Sequence, residues 1–544
     1  MSHPVNPVAF VPIPPRSSAH SASLRCLFPS LFVLVFLCLA SCSRPTRFDP
    51  SSLAFLIESN PVNLDPRFAT DGQSQRLDGL IFSGLLARDA QMNLHGDLAE
   101  SWQTPDPLTY IFHLKSGVRF HDGRPLISAD VKFTFDFILN PANKSPKRGG
   151  FRMIEKIDTP DPLTAVFHLK EPYASFLWNL IPSAAGIVPA NAAPDFSRHP
   201  IGSGPFRFVS QSQDDEVVLA HNENYFAAPP AGGAQVKNIR FRIVPDAVVR
   251  ALELRKGSAD LEMSSLSPDL IPVLIRRPAL SMTQRSGTNF AYLGINLEDP
   301  LLSHREVREA LAFATDREAL VKFLLHGQAR VASGILPPNH WAYEPNVRQY
   351  SLDVGHAEKI LDAAGYPRAA NGIRFHLTLK TSTEEQARLI SAALQEQWRK
   401  AGIELELRPL EFATLLSDSV RGNFQLTFFR WVGANNDPDI FEFVSSTKRF
   451  PPDGANRGHY RNPRIDAFTD QIRVEMDQEK RKALCSEVQK ILADDLPYIP
   501  MWFTDVVSVH RRELGDLQLS PTGDYDFLTT LKPSPQLAEL PPNP

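Results

Sequence analysis

Residues 104–126 read TPDPLTYIFHLKSGVRFHDGRPL, and residues 159–170 read TPDPLTAVFHLK, so one turn and the segment after it occur twice. In the first copy, Tyr110 and Phe112 alternate with polar positions such as His113. This period of two is typical of a β-strand with one buried face. No third copy follows, whereas solenoid repeats occur three or more times. We therefore predict two neighbouring strands of one sheet, with the histidine of each copy facing solvent.

The bulk composition is that of a soluble protein with more than one domain. The chain has 544 residues, too many for a single hydrophobic core, so two or three domains are expected. Hydrophobic residues make up 43% and charged residues 22%, which are ordinary fractions for globular proteins. The net charge of −4 gives no reason to expect a nucleic-acid partner.

The first 41 residues are interpreted as a signal peptide. Arg25 precedes an apolar run from Leu31 to Ala40, which is short for a membrane span and ends in small residues. Residues 39–42 read LASC and resemble the lipobox of bacterial lipoprotein signals. That resemblance implies cleavage before Cys42 and attachment of lipid to it. An ordinary secretory signal with a coincidental cysteine is the alternative, and the long lead before Arg25 leaves the start codon open.

The sequence lacks the patterns that would predict catalysis or a bound cofactor. Once the signal is removed and Cys42 carries lipid, Cys485 is the remaining thiol, and we expect it to be buried and inert. The sequence contains no HExxH, no Walker A loop and no GxGxxG after a strand. The GSG at 202–204 is not a nucleophile elbow. We expect no enzyme activity, no cofactor and no metal site.

Strand and helix patterns alternate over several hundred residues. Residues 237–263 read as strand, helix and strand, and residues 373–411 as strand, long amphipathic helix and strand, which is a βαβ unit. This order predicts an α/β protein with mixed sheets. The proline-rich end, residues 531–544, is predicted to be a disordered tail.

Several motifs in a fixed order resemble the bacterial extracellular solute-binding proteins of family 5, which serve oligopeptide, dipeptide, nickel and related ABC importers. The matching segments are LAESW at 98–102, FHDG at 120–123, ADV at 129–131, GSGPF at 202–206 and DDLPYIPMWF at 494–503. The resemblance extends from about residue 53 to residue 528.

The resemblance implies a type II periplasmic-binding-protein fold of the Venus flytrap kind. It has two lobes with mixed sheets, and an extra α+β domain is inserted in the first lobe. The signal is expected at residues 1–41 and the tail at 531–544. Lobe I is expected to comprise three segments, 42–85, 204–287 and 506–530. The inserted domain is expected at 86–203 and lobe II at 288–505.

The function implied is that of an extracytoplasmic, lipid-anchored substrate-binding component of an ABC importer. It would enclose a peptide between closing lobes and deliver it to a permease and ATPase complex, as a monomer and without covalent chemistry. Two alternatives stay open. One is a non-peptide ligand such as a nickel chelate, haem, an opine or a sugar. The other is a stand-alone sensor or chaperone lipoprotein.

In peptide-binding members of the family, a loop of the form WxADYxDP lines the cleft, and its first aspartate pairs with the peptide amino group. Here the corresponding residues 431–438 read WVGANNDP, so the amine-binding aspartate falls on Ala434. Either the ligand has no free α-amino group, or Asp437 or Asp439 serves instead after a shift of the loop. Asp437 also fits a simple turn, because aspartate before proline often bonds its own backbone.

The resemblance also implies which other side chains contact the ligand. Trp431 would be a stacking wall or a core residue, and Arg430 would bind a ligand carboxylate or lie on the surface. Asn435 and Asn436 are assigned to the cleft because short amides donate and accept hydrogen bonds. Further candidates, each of which packing alone would also explain, are Asn289, Tyr292, Phe412, Phe68, Ala69 and Thr70.

Overall fold

The computed structural model describes residues 52–89, 92–192, 195–227, 236–433 and 437–531. The predicted signal, Cys42 and residues 532–544 of the predicted tail lie outside these ranges.

Strands and helices alternate along the described residues, as predicted for an α/β protein. The strands are β1 (Ser52–Ile57), β2 (Leu86–Arg88), β3 (Leu94–Gly96), β4 (Ala99–Asp106), β5 (Thr109–Leu114), β6 (Ile154–Asp161), β7 (Thr164–Leu169), β8 (Phe206–Ser212), β9 (Glu216–His221), β10 (Asn238–Ile243), β11 (Leu261–Met263), β12 (Leu280–Ile295), β13 (Ala329–Val331), β14 (Phe375–Ser382), β15 (Ile403–Leu410), β16 (Leu426–Trp431) and β17 (Tyr498–Arg511). The α-helices are α1 (Gly72–Ile81), α2 (Ser128–Leu139), α3 (Arg148–Phe151), α4 (Pro182–Ala185), α5 (Ala247–Lys256), α6 (Ile271–Leu274), α7 (Arg305–Phe313), α8 (Arg317–Ala319), α9 (Val354–Ala363), α10 (Glu385–Lys400), α11 (Phe412–Val420), α12 (Ile440–Ser445), α13 (Pro463–Val474) and α14 (Gln478–Asp495).

One mixed sheet runs through both lobes. Its strands follow the order β15-β14-β16-β12-β17-β11-β1-β10-β9-β8, and β13 adds to β17. β1 pairs in parallel with β10 and β11 in lobe I, and β14 pairs in parallel with β15 and β16 in lobe II. β12 and β17 are antiparallel and pair with strands of both groups. These two strands therefore join the lobes.

Each lobe packs apolar side chains on both faces of its part of the sheet. In lobe I, Phe55 and Leu56 are successive residues of β1 and belong to two different buried clusters. In lobe II, the successive residues Trp502 and Phe503 of β17 also belong to two different buried clusters. Since successive side chains of a strand point to opposite faces, both faces of the sheet are covered.

The inserted domain has a sheet of its own, with the strand order β4-β5-β7-β6. The two copies of the repeated segment form β5 and β7, which pair directly and antiparallel, with Tyr110 opposite Phe167. The prediction of two neighbouring strands is confirmed. Phe112 and Phe135 pack edge-on against Phe167, with ring centres 5.6 and 5.1 Å away. Phe112, Phe135 and Phe167 are fully buried in the core of this domain.

The ladder between β12 and β17 is irregular where the chain passes from one lobe to the other. The register shifts between Arg285 and Asn289. A Cβ atom on Gly287 would come within 2.2 Å of the carbonyl oxygen of Thr504. Glycine is therefore required for this close approach of the two strands.

Candidate ligand-binding cleft

A cavity of about 710 Å³ lies between the lobes and is lined by residues of both. Glu58 follows β1 and Ser264 follows β11 on the lobe I side, while Ser382 ends β14 on the lobe II side. The cavity is thus at the carboxyl ends of the parallel strands, where open α/β sheets bind their ligands. Three helices also begin there, since Ala247, Glu385 and Phe412 are the first residues of α5, α10 and α11.

The lobe I wall combines an exposed carboxylate with a buried one. Glu58 is exposed and accepts a hydrogen bond from Gln73 Nε2 at 2.9 Å. Glu262 is fully buried and accepts hydrogen bonds from Ser265 N at 3.1 Å and Ser265 Oγ at 2.8 Å. Burial raises the pKa of Glu262 to about 7, although the bonds from Ser265 oppose the rise. Arg250 also lines this wall.

Arg250 stabilises the lobe I wall by donating hydrogen bonds to backbone carbonyl oxygens. Its Nη1 donates to the carbonyl oxygens of Val244 at 2.5 Å and Pro245 at 2.8 Å, and its Nη2 donates to the carbonyl oxygen of Ser265. The guanidinium thus ties the segment after β10 to the segment after β11.

The lobe II wall includes exposed apolar side chains and an ion pair. Phe412 is 56% exposed and Val432 is 61% exposed, which is unusual for large apolar side chains. Arg430 Nη2 lies 3.3 Å from Glu384 Oε2, and the two side chains are 43% and 52% exposed. An ion pair so open to solvent contributes little to stability.

The floor of the cleft is formed by the strands that join the lobes. Asp505 on β17 accepts hydrogen bonds from Gln284 Nε2 at 2.7 Å and Arg330 Nε at 3.1 Å. Its backbone N–H donates to the carbonyl oxygen of Gln328 at 3.0 Å. These bonds tie β12 and β13 to β17 at the centre of the cleft.

Trp431 and Tyr292, two of the predicted contact residues, lie together beside the large cavity rather than on its described lining. Their rings stack at 6.3 Å and line a separate cavity of about 40 Å³. The Arg457 guanidinium is 5.2 Å from the Trp431 ring centre, and its Nη1 donates to the Tyr292 hydroxyl at 3.3 Å. Burial raises the pKa of Tyr292. Both rings pack in the lobe II core in this arrangement.

Asp437 lies in a buried polar network. Arg481 Nη1 donates to Asp437 Oδ2 at 2.9 Å and Arg481 Nη2 to Oδ1 at 2.6 Å, while Ser175 Oγ donates to Oδ1 at 2.5 Å. Asp439 N also donates to Oδ1 at 3.0 Å, which is the turn that aspartate before proline often forms. Burial opposes ionisation of Asp437, but the Arg481 charge outweighs it and lowers the pKa. Burial and the neighbouring Asp437 raise the pKa of Asp439 to about 6.

The remaining predicted ligand contacts lie in different parts of the molecule. Asn289 pairs with Thr504, and its Oδ1 is buried without a hydrogen bond from any described residue. Phe68 packs edge-on against Phe137 of the inserted domain at 5.8 Å, beside buried Ala69 and exposed Thr70. Ala434, Asn435 and Asn436 lie outside the described residues.

Of the predicted contacts, Arg430 and Phe412 line the large cavity. Sequence reasoning missed the charged residues that share this lining, namely Glu58, Arg250, Glu262, Asp269, Glu384, Glu385 and Asp505. A signal was present for two of them. Glu58 directly follows the apolar run LAFLI, and Glu384 directly precedes a long amphipathic helix. A polar residue at the carboxyl end of a predicted parallel strand is a candidate for the cleft.

In the part of the chain that the structure describes, no helix combines the length and the apolar character that crossing a bilayer demands. In the same residues, no group of three or more His, Cys, Asp or Glu side chains is arranged to hold a metal ion.

Two lobes that share one sheet and enclose a cleft at the carboxyl ends of their strands, with a domain inserted in the first lobe, define a type II periplasmic binding protein. The model of the family described as "Bacterial extracellular solute-binding proteins, family 5 Middle" matches residues 93–448. The chain belongs to this family of solute-binding proteins, whose members act outside the cytoplasm.

Relatives and solved structures agree with this assignment. The chain is 31% identical over 460 residues to the "Probable di/tripeptide-binding protein 5" of Pseudomonas aeruginosa, covering 79% of this chain and 85% of the relative. The DppA protein of Helicobacter pylori in complex with the peptide STSA has a TM-score of 0.73 and 25% identity, covering 89% of this chain and 98% of that one. NikA of Brucella suis, in complex with Fe(III)-EDTA, has a TM-score of 0.81 and 23% identity, covering 89% and 100%.

Proposed function

We propose that this protein is the binding component of an ABC importer and that it holds a short peptide between its lobes for delivery to a permease and ATPase complex. The observation that carries the proposal is the cleft of about 710 Å³ at the carboxyl ends of the strands of both lobes. That volume is within the range of about 300–1,000 Å³ usual for small-ligand sites. The peptide-binding relatives described above support the same substrate class.

The charges of the cleft suit the two ends of a peptide. Glu58 takes the place of the aspartate missing at Ala434 and accepts the ligand's ammonium group, since a buried ammonium requires a carboxylate partner. Arg430 releases Glu384 and binds the carboxylate. The N-terminus of α10 supports the same anion, because its first turn has no side-chain cap from Glu384. Phe412 and Val432 then cover an apolar side chain of the ligand.

The lobes close by bending at the irregular part of β12 and β17. The register shift at 285–289 and the close approach of Gly287 to Thr504 support a hinge there. The lobe boundaries expected at residues 287/288 and 505/506 fall at the same place. A few residues that absorb a backbone change are what hinge closure needs.

A ligand without a free α-amino group is the second candidate. Ala434 stands where peptide-binding members of the family have the amine-binding aspartate, and this favours a chelate, an opine or another anion. Such a ligand would use Arg430 but would not need Glu58.

The two candidates are distinguished by mass spectrometry of the small molecules released from the natively purified protein. We expect a mixture of short peptides. The binding site is then tested by calorimetry with a peptide identified in that mixture. E58Q should weaken its binding about tenfold, because a hydrogen bond to a charged group is lost.

The control for E58Q is E155Q, which makes the same change at an exposed residue of the inserted domain. It should bind like the wild type. Recovery of a metal chelate or a sugar contradicts the peptide assignment, and an unchanged affinity for E58Q contradicts the role of Glu58.

We also propose that the mature protein is monomeric and anchored to a membrane through lipid on Cys42. The lipobox-like LASC at residues 39–42 supports the lipid anchor. A lipid anchor keeps a binding protein close to its permease without a membrane-spanning helix.

A further inference from the structure

The inserted domain reaches across to lobe II through residues 171–175. Glu171 Oε1 lies 2.5 Å from Arg473 Nη1, at the C-terminal end of α13. The backbone N–H of Ala174 donates to the carbonyl oxygen of Arg473 at 2.9 Å. Ser175 then enters the network of Asp437 and Arg481 described above. The contact therefore has a partly exposed ion pair at its edge and a buried polar network at its centre.

The buried polar network at the centre of this contact is formed by side chains of both lobe II and the inserted domain. Arg481 Nη2 donates to Ser175 Oγ at 2.8 Å, and Ser175 Oγ donates to Asp437. The Arg481 and Asp437 side chains are 5% and 10% exposed. Arg481 also donates to Asp439 Oδ1 at 3.2 Å, so two carboxylates share one guanidinium. The inserted domain supplies a hydroxyl donor, Ser175, to one of them.

The inserted domain is firmly attached to lobe I. Ser145 Oγ donates to the carbonyl oxygen of Arg67 at 2.6 Å in a buried site, and the Arg67 guanidinium lies 3.9 Å from the Phe137 ring centre. Gly84 N donates to Asp97 Oδ2 at 2.9 Å, also in a buried site. Movement of lobe I away from lobe II therefore carries residues 171–175 with it and breaks their contacts with Asp437 and Arg473.

We propose that residues 171–175 form a latch that favours the closed cleft. In the closed arrangement, Ser175 donates a hydrogen bond to the buried Asp437 carboxylate. In an open arrangement, Arg481 remains bound to Asp437, but this donor is lost. A contact made in only one of two states shifts the equilibrium toward that state. The latch rests on the proposed function, because it acts on the closure of the two lobes that this function requires.

The latch is tested without ligand, by electron paramagnetic resonance distance measurement between spin labels. The labels are placed at E155C in the inserted domain and E479C in lobe II, both exposed, in a chain with Cys26, Cys38 and Cys42 replaced by alanine. Cys485 is buried and stays unlabelled. We expect the distance of the present structure to be populated in the unliganded protein. S175A should reduce the ratio of this closed population to the open one about tenfold, because a hydrogen bond to a charged group is lost.

Two further variants separate a latch from a general loss of stability. S116A makes the same change at an exposed serine of the inserted domain and should leave the distribution unchanged. E171R should lower the closed population, and adding R473E should restore it. Identical distributions for the wild type and S175A, or a failure of R473E to rescue E171R, would overturn the proposal. Because no ligand is present, neither result bears on whether the cleft binds peptides.

Discussion

Glu58 follows β1 and Glu262 lies within the neighbouring strand β11, yet their surroundings differ. Glu58 is exposed to the cleft, whereas Glu262 is buried and its pKa is raised to about 7. Arg250 is the charged group that acts on Glu262, and burial lowers the pKa of this arginine. One carboxylate is thus suited to bind a cation, and the other to maintain the wall that carries it.

The buried state of Glu262 predicts a pH-dependent stability. The folded pKa of about 7 exceeds the reference value of 4.5, so the folded protein binds more protons than the unfolded chain between these values. The free energy of unfolding should therefore fall as pH rises from about 4.5 to 7, by up to about 3 kcal/mol from this group. The measurement is urea unfolding of the wild type and E262Q at several pH values.

E262Q keeps the shape of the side chain but cannot titrate. As pH rises across this range, the free energy of unfolding of the wild type should fall relative to that of E262Q. E155Q, at an exposed site, serves as the control and should follow the wild type at every pH. A constant difference between E262Q and the wild type would contradict the raised pKa.

Cys485 illustrates how far a single residue could be predicted. The sequence predicted a buried, inert thiol, and the side chain is buried in the lobe II core. Burial raises the pKa of its thiol to about 12, so the reactive thiolate is scarce at neutral pH. The expectation rested on the lack of a second free thiol to pair with Cys485, which can be read from the sequence alone.

Among the elements, the strands were predicted best where their pattern was local. The repeated segment was recognised as β5 and β7, and the pattern at residues 373–411 as β14, α10 and β15, with the two strands parallel. β12 was missed as a 16-residue strand. Its length depends on pairing with β16 and β17, which lie far away in the sequence.

The site was predicted less well than the fold, for the same reason. Asp437 was a candidate ligand contact on the strength of its motif. Its partner Arg481 lies 44 residues further along the chain, and Ser175 lies 262 residues before it. No spacing in the sequence connects these three residues. They meet only because the inserted domain and lobe II come together in the folded chain.

Two glycine-to-alanine changes should have opposite effects on stability, because only Gly287 lies at the close approach of β12 to β17. G287A places a methyl group against the Thr504 carbonyl and should destabilise the protein by about 1–3 kcal/mol. G355A, in the first turn of α9, meets nothing closer than Asp353 Oδ1 at 3.6 Å and should stabilise it by about 0.5 kcal/mol. Urea unfolding measures both, and a neutral G287A would contradict the role given to this glycine.

At the scale of the whole molecule, the location of the mature protein depends on Cys42. C42A should release the protein from the membrane fraction into the soluble extracytoplasmic fraction and should abolish labelling by a fatty acid. Immunoblots of separated fractions and radiolabelled palmitate measure these two effects. C485A, which alters a buried cysteine, is the control and should leave both unchanged. Continued labelling of C42A would contradict the anchor.

The long strand β17 has a consequence for how the molecule is assembled during synthesis. It is the last strand in the described part of the chain, and it pairs with strands of both lobes. The residues after it, including Tyr525, Phe527 and Leu528, complete the lobe I core begun by β1. A polypeptide that emerges with its N-terminus first cannot finish lobe I until β17 and the residues after it have appeared. The earlier segments must therefore wait, with their apolar surfaces uncovered, and this is the interval in which an export chaperone would be needed.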